Sequence, residues 1–541
     1  MNTPRPPDRH DSVVVGAGLA GLVTALRLLD ASQRVLLLDR GGEERVGGLA
    51  LQAFGGMCLV DTPLQRRAGI RDSAALALAD WLSLAEFEAG DAWPRAWAER
   101  YVERSVPDVY EWLRGFGLRF VPAVQWVERG LYRPGNSVPR YHVLWGTSRH
   151  MTLTLLEALR RHPRRAALTL ATGHRVDALA PLAGGGWRCT ALREADGERV
   201  GFEAANLVVA TGGIGGDLRR VRAHWPADLG AAPAELLNGS HPNAEGAVHD
   251  LVRGCGGQLT HLGAMWNYAA GVAHPDPHFD GHGLSLIPPR SALWADPLGR
   301  RIGPLPLVSG FDTRAMVAQI ARAGWSHTWQ VLNRRIAVRE LAASGADHNP
   351  LLRDRRALAF ARQMLLGNRA LTDELLARCP DFVQAPTLPA LVERMNALCP
   401  AATVDGAALE RDIDAYDAQI ARGPRLHDDD QLRRLAQLRR WPGDRLRTCK
   451  FQRILDPAAG PLIAIRCRLL VRKSMGGIRT DLASRVLDAG DRPLAGLYAV
   501  GEAAGFGGGG CNGKGSLEGT FLSGCILTAQ AAARHILERS P

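Results

Sequence analysis

Val13, Val14 and Val15 form an unbroken β-branched run near the start of the chain. Such a run predicts a central strand of a parallel sheet, buried on both faces. After the glycines that follow it, Leu19, Leu22, Val23, Leu26 and Leu29 recur at helical spacing, and a second apolar strand over 35–38 ends in Asp39. From 72 to 116 the pattern is helical and carries Trp81, Trp93, Trp97 and Trp112, which read as aromatic core packing. Strand-like runs alternate over 168–209 around a turn at Asp196 and Gly197, predicting a small meander whose last strand runs into Ala210, Thr211, Gly212 and Gly213.

Beyond Met265 the periodicity fades in a stretch rich in Pro, His and Gly, the composition of long loops entering a separate cap domain. Helical patterns resume over 314–343, 351–366, 388–398 and 407–421, and Asp428 to Asp430 read as a solvated helix start. Short apolar strands at 469–471 and 497–500 then precede a last helix rich in Leu, Ile and Ala. Strand and helix alternate at both ends of the chain around a differently patterned middle. The fold class expected is α/β: a Rossmann-like dinucleotide-binding domain built from both ends, with an inserted α+β cap. The divisions expected are 1–270 and 443–541 for the first domain and 271–442 for the cap.

Gly16, Gly18 and Gly21 follow the first strand as GxGxxG. In that context the first glycine permits the tight turn, the second lets backbone approach a pyrophosphate, and the third lets helix pack on strand. Asp39, at the end of the next strand, is placed to accept hydrogen bonds from ribose hydroxyls, with Ala20, Arg40 and Val176 as further expected contacts. This stretch alone leaves FAD and NAD both open. A second glycine group, Gly47 and Gly48 with Gly55 and Gly56, would let another helix N-terminus approach the phosphates, a feature more typical of FAD enzymes.

The chain has 541 residues, of which 46% are hydrophobic and 22% charged, values of a globular protein too long for one simple core. Its net charge of +11 comes almost wholly from arginine, the only lysines being Lys450, Lys473 and Lys514. The arginines are scattered, so no nucleic-acid surface is expected. Nine dispersed cysteines without a CxxC pair read as reduced thiols of a cytoplasmic protein with no metal site. No signal peptide is expected at MNTPRPPDRHD, and no apolar run is long enough for a membrane span.

Together VVVGAGLAG with Asp39, GGLALQAFGG, ATGGIGG, SMGGIRTD and GLYAVGEAAGFGGGG resemble the flavoprotein superfamily of fumarate reductase, succinate dehydrogenase and 3-ketosteroid Δ1-dehydrogenase, closest to the group called FAD-binding dehydrogenases. The likeness runs from about Ser12 to Arg534. It implies FAD as cofactor, with Gly501 and Glu502 at the ribitol, and with Ser516 and Leu517 opening a last helix aimed at the flavin pyrimidine end. No histidine lies between Gly47 and Gly56, so the FAD is expected to be non-covalent.

Dehydrogenation beside a carbonyl needs a base for the α-proton and a donor to the carbonyl oxygen. The resemblance implies tyrosines in both roles, and of seven tyrosines Tyr268 and Tyr141 fall in segments expected to face the flavin, Tyr268 being the preferred acid-base group. A hydrogen-bonded buried tyrosine is the plainer reading of the same residue. His142 and Trp145, beside Tyr141, are of the kinds that line a ligand pocket or serve structure equally well, and Arg290 is a further candidate.

Where fumarate reductases clamp a dicarboxylate with histidine and arginine, the motif alignment has Lys473 and Ser516, and GRRIGPLPLVSGFDTR lacks the usual acidic residue, leaving Arg314 to take the proton-donating place. These departures argue against a dicarboxylate. The C-terminal loop also has Asn512, Lys514 and Gly515 where the nearest group has His and Tyr-Arg. The reading reached is an FAD-dependent dehydrogenase of a CH–CH bond beside a ketone in a bulky apolar molecule, steroid-like or polycyclic, with a separate electron acceptor. The alternatives are a reductase of an activated alkene and a non-catalytic FAD-binding homologue.

Overall fold

Val13 and Val14 are wholly buried but face different neighbours. Their strand, Asp8–Val15, lies mid-sheet, parallel to Val35–Leu38 on one side and to Arg199–Val209 on the other. Val14 and Leu37 pack against helices Leu19–Asp30 and Thr520–Arg539, while Val13 and Leu36 pack with Val248 and Val252 of helix Ala247–Gly254. Burial on both faces is what the unbroken valine run requires. The computed structural model describes residues 8–506, 513–515 and 517–539. The sheet extends to Leu168–Ala171 at one edge and on the other side through Pro493–Ala499, parallel to Arg199–Val209, to the antiparallel edge strand Arg485–Leu487. The expected meander is built from His174–Pro181, Trp187–Arg193 and Arg199–Val209, all antiparallel, whereas Leu168–Ala171 joins the parallel core.

A second eight-stranded sheet is organised around the long strand Leu462–Ser474. It pairs antiparallel with Met265–Ala273, Thr328–Asn333 and Phe382–Ala385, and parallel with Leu236–Asn238. The cap sheet therefore takes strands from both flanking segments of the chain. Residues 469–471 read as a short strand, yet the ladder starts at Leu462, because Ile463, Ala464 and Ile465 are buried in the cap core.

The helical pattern over 314–343 resolves into helix Thr313–Arg322, strand Thr328–Asn333 and helix Arg334–Glu340. Gly324, at φ +69°, breaks the first helix, and the strand is buried at every position, its polar Thr328, Gln330 and Asn333 included. The stretch 351–366 likewise divides at Arg355, at φ +57°, into Pro350–Arg353 and Ala357–Leu366. Trp81 and Trp97 are core residues of helices Ala74–Ala85 and Ala92–Arg104. Asp429 caps helix Asp430–Leu438 and pairs with Arg301, so that part of the acidic run is engaged in structure and not simply solvated.

Candidate active site

The carboxyl ends of the parallel strands converge on a cleft of about 1310 Å³, the position where open α/β sheets bind ligands. The turn out of the first strand needs glycine twice. A Cβ on Gly16, at φ +103°, would lie 2.4 Å from the Ala210 carbonyl oxygen, and one on Gly21 would lie 1.9 Å from that of Gly16. Gly18, by contrast, opens onto empty space and caps helix Leu19–Asp30 without a side-chain hydrogen bond, leaving the first helical N–H groups free for an anion. Asp39 accepts from Ala17 N and Gly41 N, both at 2.7 Å, which fixes its carboxylate at the rim; burial raises its pKa against the pull of these two bonds.

Of the residues expected at the cofactor, Gly16, Gly18, Ala20, Asp39 and Arg40 line this cleft, as do Gly47, Gly48 and Val176. Ala210, Thr211, Gly212 and Glu502 close its inner wall, with Lys473 beside them. Arg40 is also paired with Glu194 and Glu245, tying the rim together. Gly501, at φ +64°, packs on Ala20 and Cys525 and forms the turn that presents Glu502. Arg45 and His241, which sequence reasoning passed over, line the cleft as well. Burial and the nearby cations push His241 down to about 4, so it stands neutral.

Other expected residues stand elsewhere. A Cβ on Gly55 would meet the Ser148 amide nitrogen at 2.7 Å, and one on Gly56 would meet the Tyr141 hydroxyl at 1.9 Å. This glycine pair thus makes room for a helix start and a tyrosine ring, not for phosphate. His142 is fully buried with both ring nitrogens engaged, Nε2 with Thr62 Oγ1 and Nδ1 with the Arg140 carbonyl, each at 2.7 Å. Burial lowers it to about 4, and no nitrogen is left for a substrate. Arg290 is held by Asp444 at 2.8 Å and Thr448 at 3.0 Å. Arg314 pairs with Asp228 and donates to the Lys514 carbonyl beside a separate cavity of about 770 Å³ next to Trp266. Leu517 is fully buried in the apolar core, while Ser516 and Asn512 lie outside the described residues.

Next to Lys473, outside the residues that line the cleft, the second sheet gathers ionisable groups. Met265–Ala273 pairs with Leu462–Ser474, which brings Trp266 opposite Lys473. Trp266 Nε1 and the Tyr268 hydroxyl both donate to Glu518 Oε2, at 2.6 and 3.1 Å. Burial raises the Glu518 carboxyl despite these bonds, and it pushes Tyr268 well above the ordinary phenol range, with the Glu518 charge adding to the effect. Tyr141 is raised for the same two reasons, and Tyr141 and Tyr268 lie within electrostatic reach of one another. No described residue hydrogen-bonds the Tyr141 hydroxyl. Burial lowers the Lys473 amine to about 8, against the opposing pull of Glu502, whose carboxyl is itself raised by burial. Glu518 is the site residue that sequence reasoning missed, its only signal being its place two residues before the last helix.

The sequence profile of the family described as FAD binding domain matches residues 11–522. The chain belongs to that family. It is 41% identical to a KsdD-like steroid dehydrogenase of Mycobacterium tuberculosis, over 98% of this chain and 96% of the relative. A 3-ketosteroid Δ1-dehydrogenase from Sterolibacterium denitrificans, solved with 1,4-androstadiene-3,17-dione, superposes with a TM-score of 0.68 at 17% identity, covering 98% of this chain and 100% of that one. A flavocytochrome c3 fumarate reductase gives 0.67 at 18%, covering 98% and 79%. At such identities these two structures show the shared fold.

The residues of this flavoprotein fit FAD. The glycine turn, the uncapped helix start, the fixed Asp39 carboxylate and Glu502 are spaced along one continuous cleft. No group of His, Cys, Asp or Glu suited to a metal ion occurs among the described residues, and the eight cysteines among them are free thiols. No described helix is long and apolar enough to cross a membrane.

Proposed function

We propose that this flavoprotein oxidises a CH–CH bond beside a ketone in a bulky, steroid-like substrate. The observation that carries the reading is the Tyr141–Tyr268–Glu518 group, within electrostatic reach of the cleft residue Lys473. The Tyr141 hydroxyl, which no described residue engages, donates to the ketone oxygen and stabilises the negative charge that grows there as the α-C–H bond breaks. Tyr268 takes the α-proton on its oxygen while passing its own proton along the existing hydrogen bond to Glu518. The raised Glu518 carboxyl suits it to hold that proton, and burial keeps a free Tyr268 phenolate from forming beforehand. FAD, bound non-covalently, supplies the hydride acceptor, and an electron acceptor separate from this chain restores it. The name of the mycobacterial relative supports the substrate class.

The test is the visible spectrum of the anaerobic, FAD-loaded protein as a saturated 3-ketosteroid is added. Bleaching of the oxidised-flavin band is expected, and Tyr268→Phe should slow it by about 10²–10⁴-fold with FAD content unchanged. Bound flavin that no cyclic ketone bleaches would overturn the reading. Reoxidation of the chemically reduced protein by an activated alkene would then favour the reductase.

A further inference from the structure

Several buried arginines among the described residues are matched by carboxylates, although Arg472 donates to the Gly239 carbonyl without one. Arg140 sits between Asp72 and Asp80, and Arg466 and Arg468 share Asp381, with Glu235 added beside Arg468. Beside Tyr141 the balance differs. Asp444 is paired with both Arg129 and Arg290, and is thereby used up. A third arginine, Arg447, ends helix Pro442–Arg447 half-buried in the same place, and its side-chain contact is a 3.4 Å hydrogen bond to the Gln125 amide oxygen. No described carboxylate pairs with it. Glu340, the next acid within electrostatic reach, is occupied by Ser291 and by the Cys449 amide.

The position of Arg447 relative to the reaction centre follows from strand register. Gln125 and Tyr141 form an antiparallel bridge and exchange both backbone hydrogen bonds, at 2.8 and 3.1 Å. Directly opposed residues of an antiparallel pair project their side chains to the same face. Gln125 therefore carries the Arg447 guanidinium to the face from which Tyr141 projects. An arginine whose fork has met one neutral amide oxygen keeps most of its donors for a partner, and a carboxylate matches that fork in a bidentate fashion.

From this surplus we infer that Arg447 binds an anionic group of the substrate, so that the preferred substrate is a steroid-like ketone bearing a carboxylate. The inference rests on the proposed dehydrogenase reading and narrows its substrate class. Burial and the neighbouring Arg290 lower the Arg447 pKa against the pull of Asp444 and Glu340, and an incoming carboxylate would add to that pull. Asp444 does not serve this purpose, because its two arginines already occupy it.

The experiment compares a neutral saturated 3-ketosteroid with its analogue carrying a side-chain carboxylate, using the FAD-loaded parent, Arg447→Met and Arg447→Lys. KM from flavin bleaching and the melting temperature with each compound are read together. The parent is expected to favour the carboxylate by about 10–100-fold in KM, the worth of one charge-assisted pair. Arg447→Met should abolish that preference with kcat for the neutral ketone retained, and Arg447→Lys should keep part of it. Equal KM values in the parent, or a preference that survives Arg447→Met, would overturn the inference and leave the dehydrogenase reading standing. If neither compound bleaches the flavin, yet the carboxylate raises the melting temperature of the parent and not of Arg447→Met, the anion subsite stands and the dehydrogenase reading falls. Silence in both measurements overturns both. Should Arg447→Met fail to hold FAD, Arg447→Lys decides, since unchanged discrimination there refutes bidentate binding.

Discussion

Replacing Lys473 by methionine should flatten a rise in stability that the FAD-free protein shows above pH 8. Burial lowers the Lys473 amine from 10.5 to about 8 in the folded chain, with Glu502 pulling it partly back. The unfolded chain keeps the ordinary value. Between these two values the unfolded state binds more protons than the folded one, so stability increases with pH across that window. Below it the folded state bears the full cost of a buried charge, about 3 kcal/mol from the difference between the two pKa values. At pH 8 nearly all of that cost remains, and by pH 9.5 it has fallen to about 1.5 kcal/mol. The parent should therefore gain about 1.5 kcal/mol over this interval that Lys473→Met does not gain. Urea unfolding of both FAD-free proteins at the two pH values, followed by far-UV circular dichroism, measures the difference directly. Parallel pH dependences, or a parent that loses stability relative to the variant, would refute the placement of a buried charged amine at the head of the cleft.

Asp39→Asn replaces one of the two carboxylate oxygens that accept Ala17 N and Gly41 N, so FAD affinity should fall by at least about tenfold, read as flavin lost on gel filtration and by fluorescence titration. Arg140→Met strands Asp72 and Asp80 in the interior and should cost about 3–5 kcal/mol in chemical denaturation, whereas a cost under 1 kcal/mol would mean that the pair is solvated. Trp97→Ala, at a core position 1% exposed, should cost about 3–5 kcal/mol with the flavin spectrum of the surviving folded protein unchanged.

The sequence by itself determined the parts of this protein that depend on neighbours along the chain. The valine run, the glycine turn, the amphipathic helix and Asp39 occur within thirty residues, and each is constrained by local geometry: a strand buried on both faces, a turn at positive φ, a helix start without a cap. The flavoprotein family was legible for the same reason, since its motifs are short stretches of backbone shaped around one ligand. Tertiary structure decided which polar groups reach a ligand and which are consumed by other side chains. His142 and Arg290 have the chemistry of site residues, yet Thr62 and Asp444, distant in sequence, occupy them. Gly56 resembles a phosphate glycine and instead receives the Tyr141 ring. Glu518 and Arg447 carry no motif of their own, and they acquire meaning only where Tyr268 donates to one and Gln125 meets the other. The strand Thr328–Asn333 read as helix because it is six residues long and stands between the helices Thr313–Arg322 and Arg334–Glu340. Backbone shape is written locally, whereas hydrogen-bond partners and charge balance are set by contacts between segments that the linear pattern does not pair.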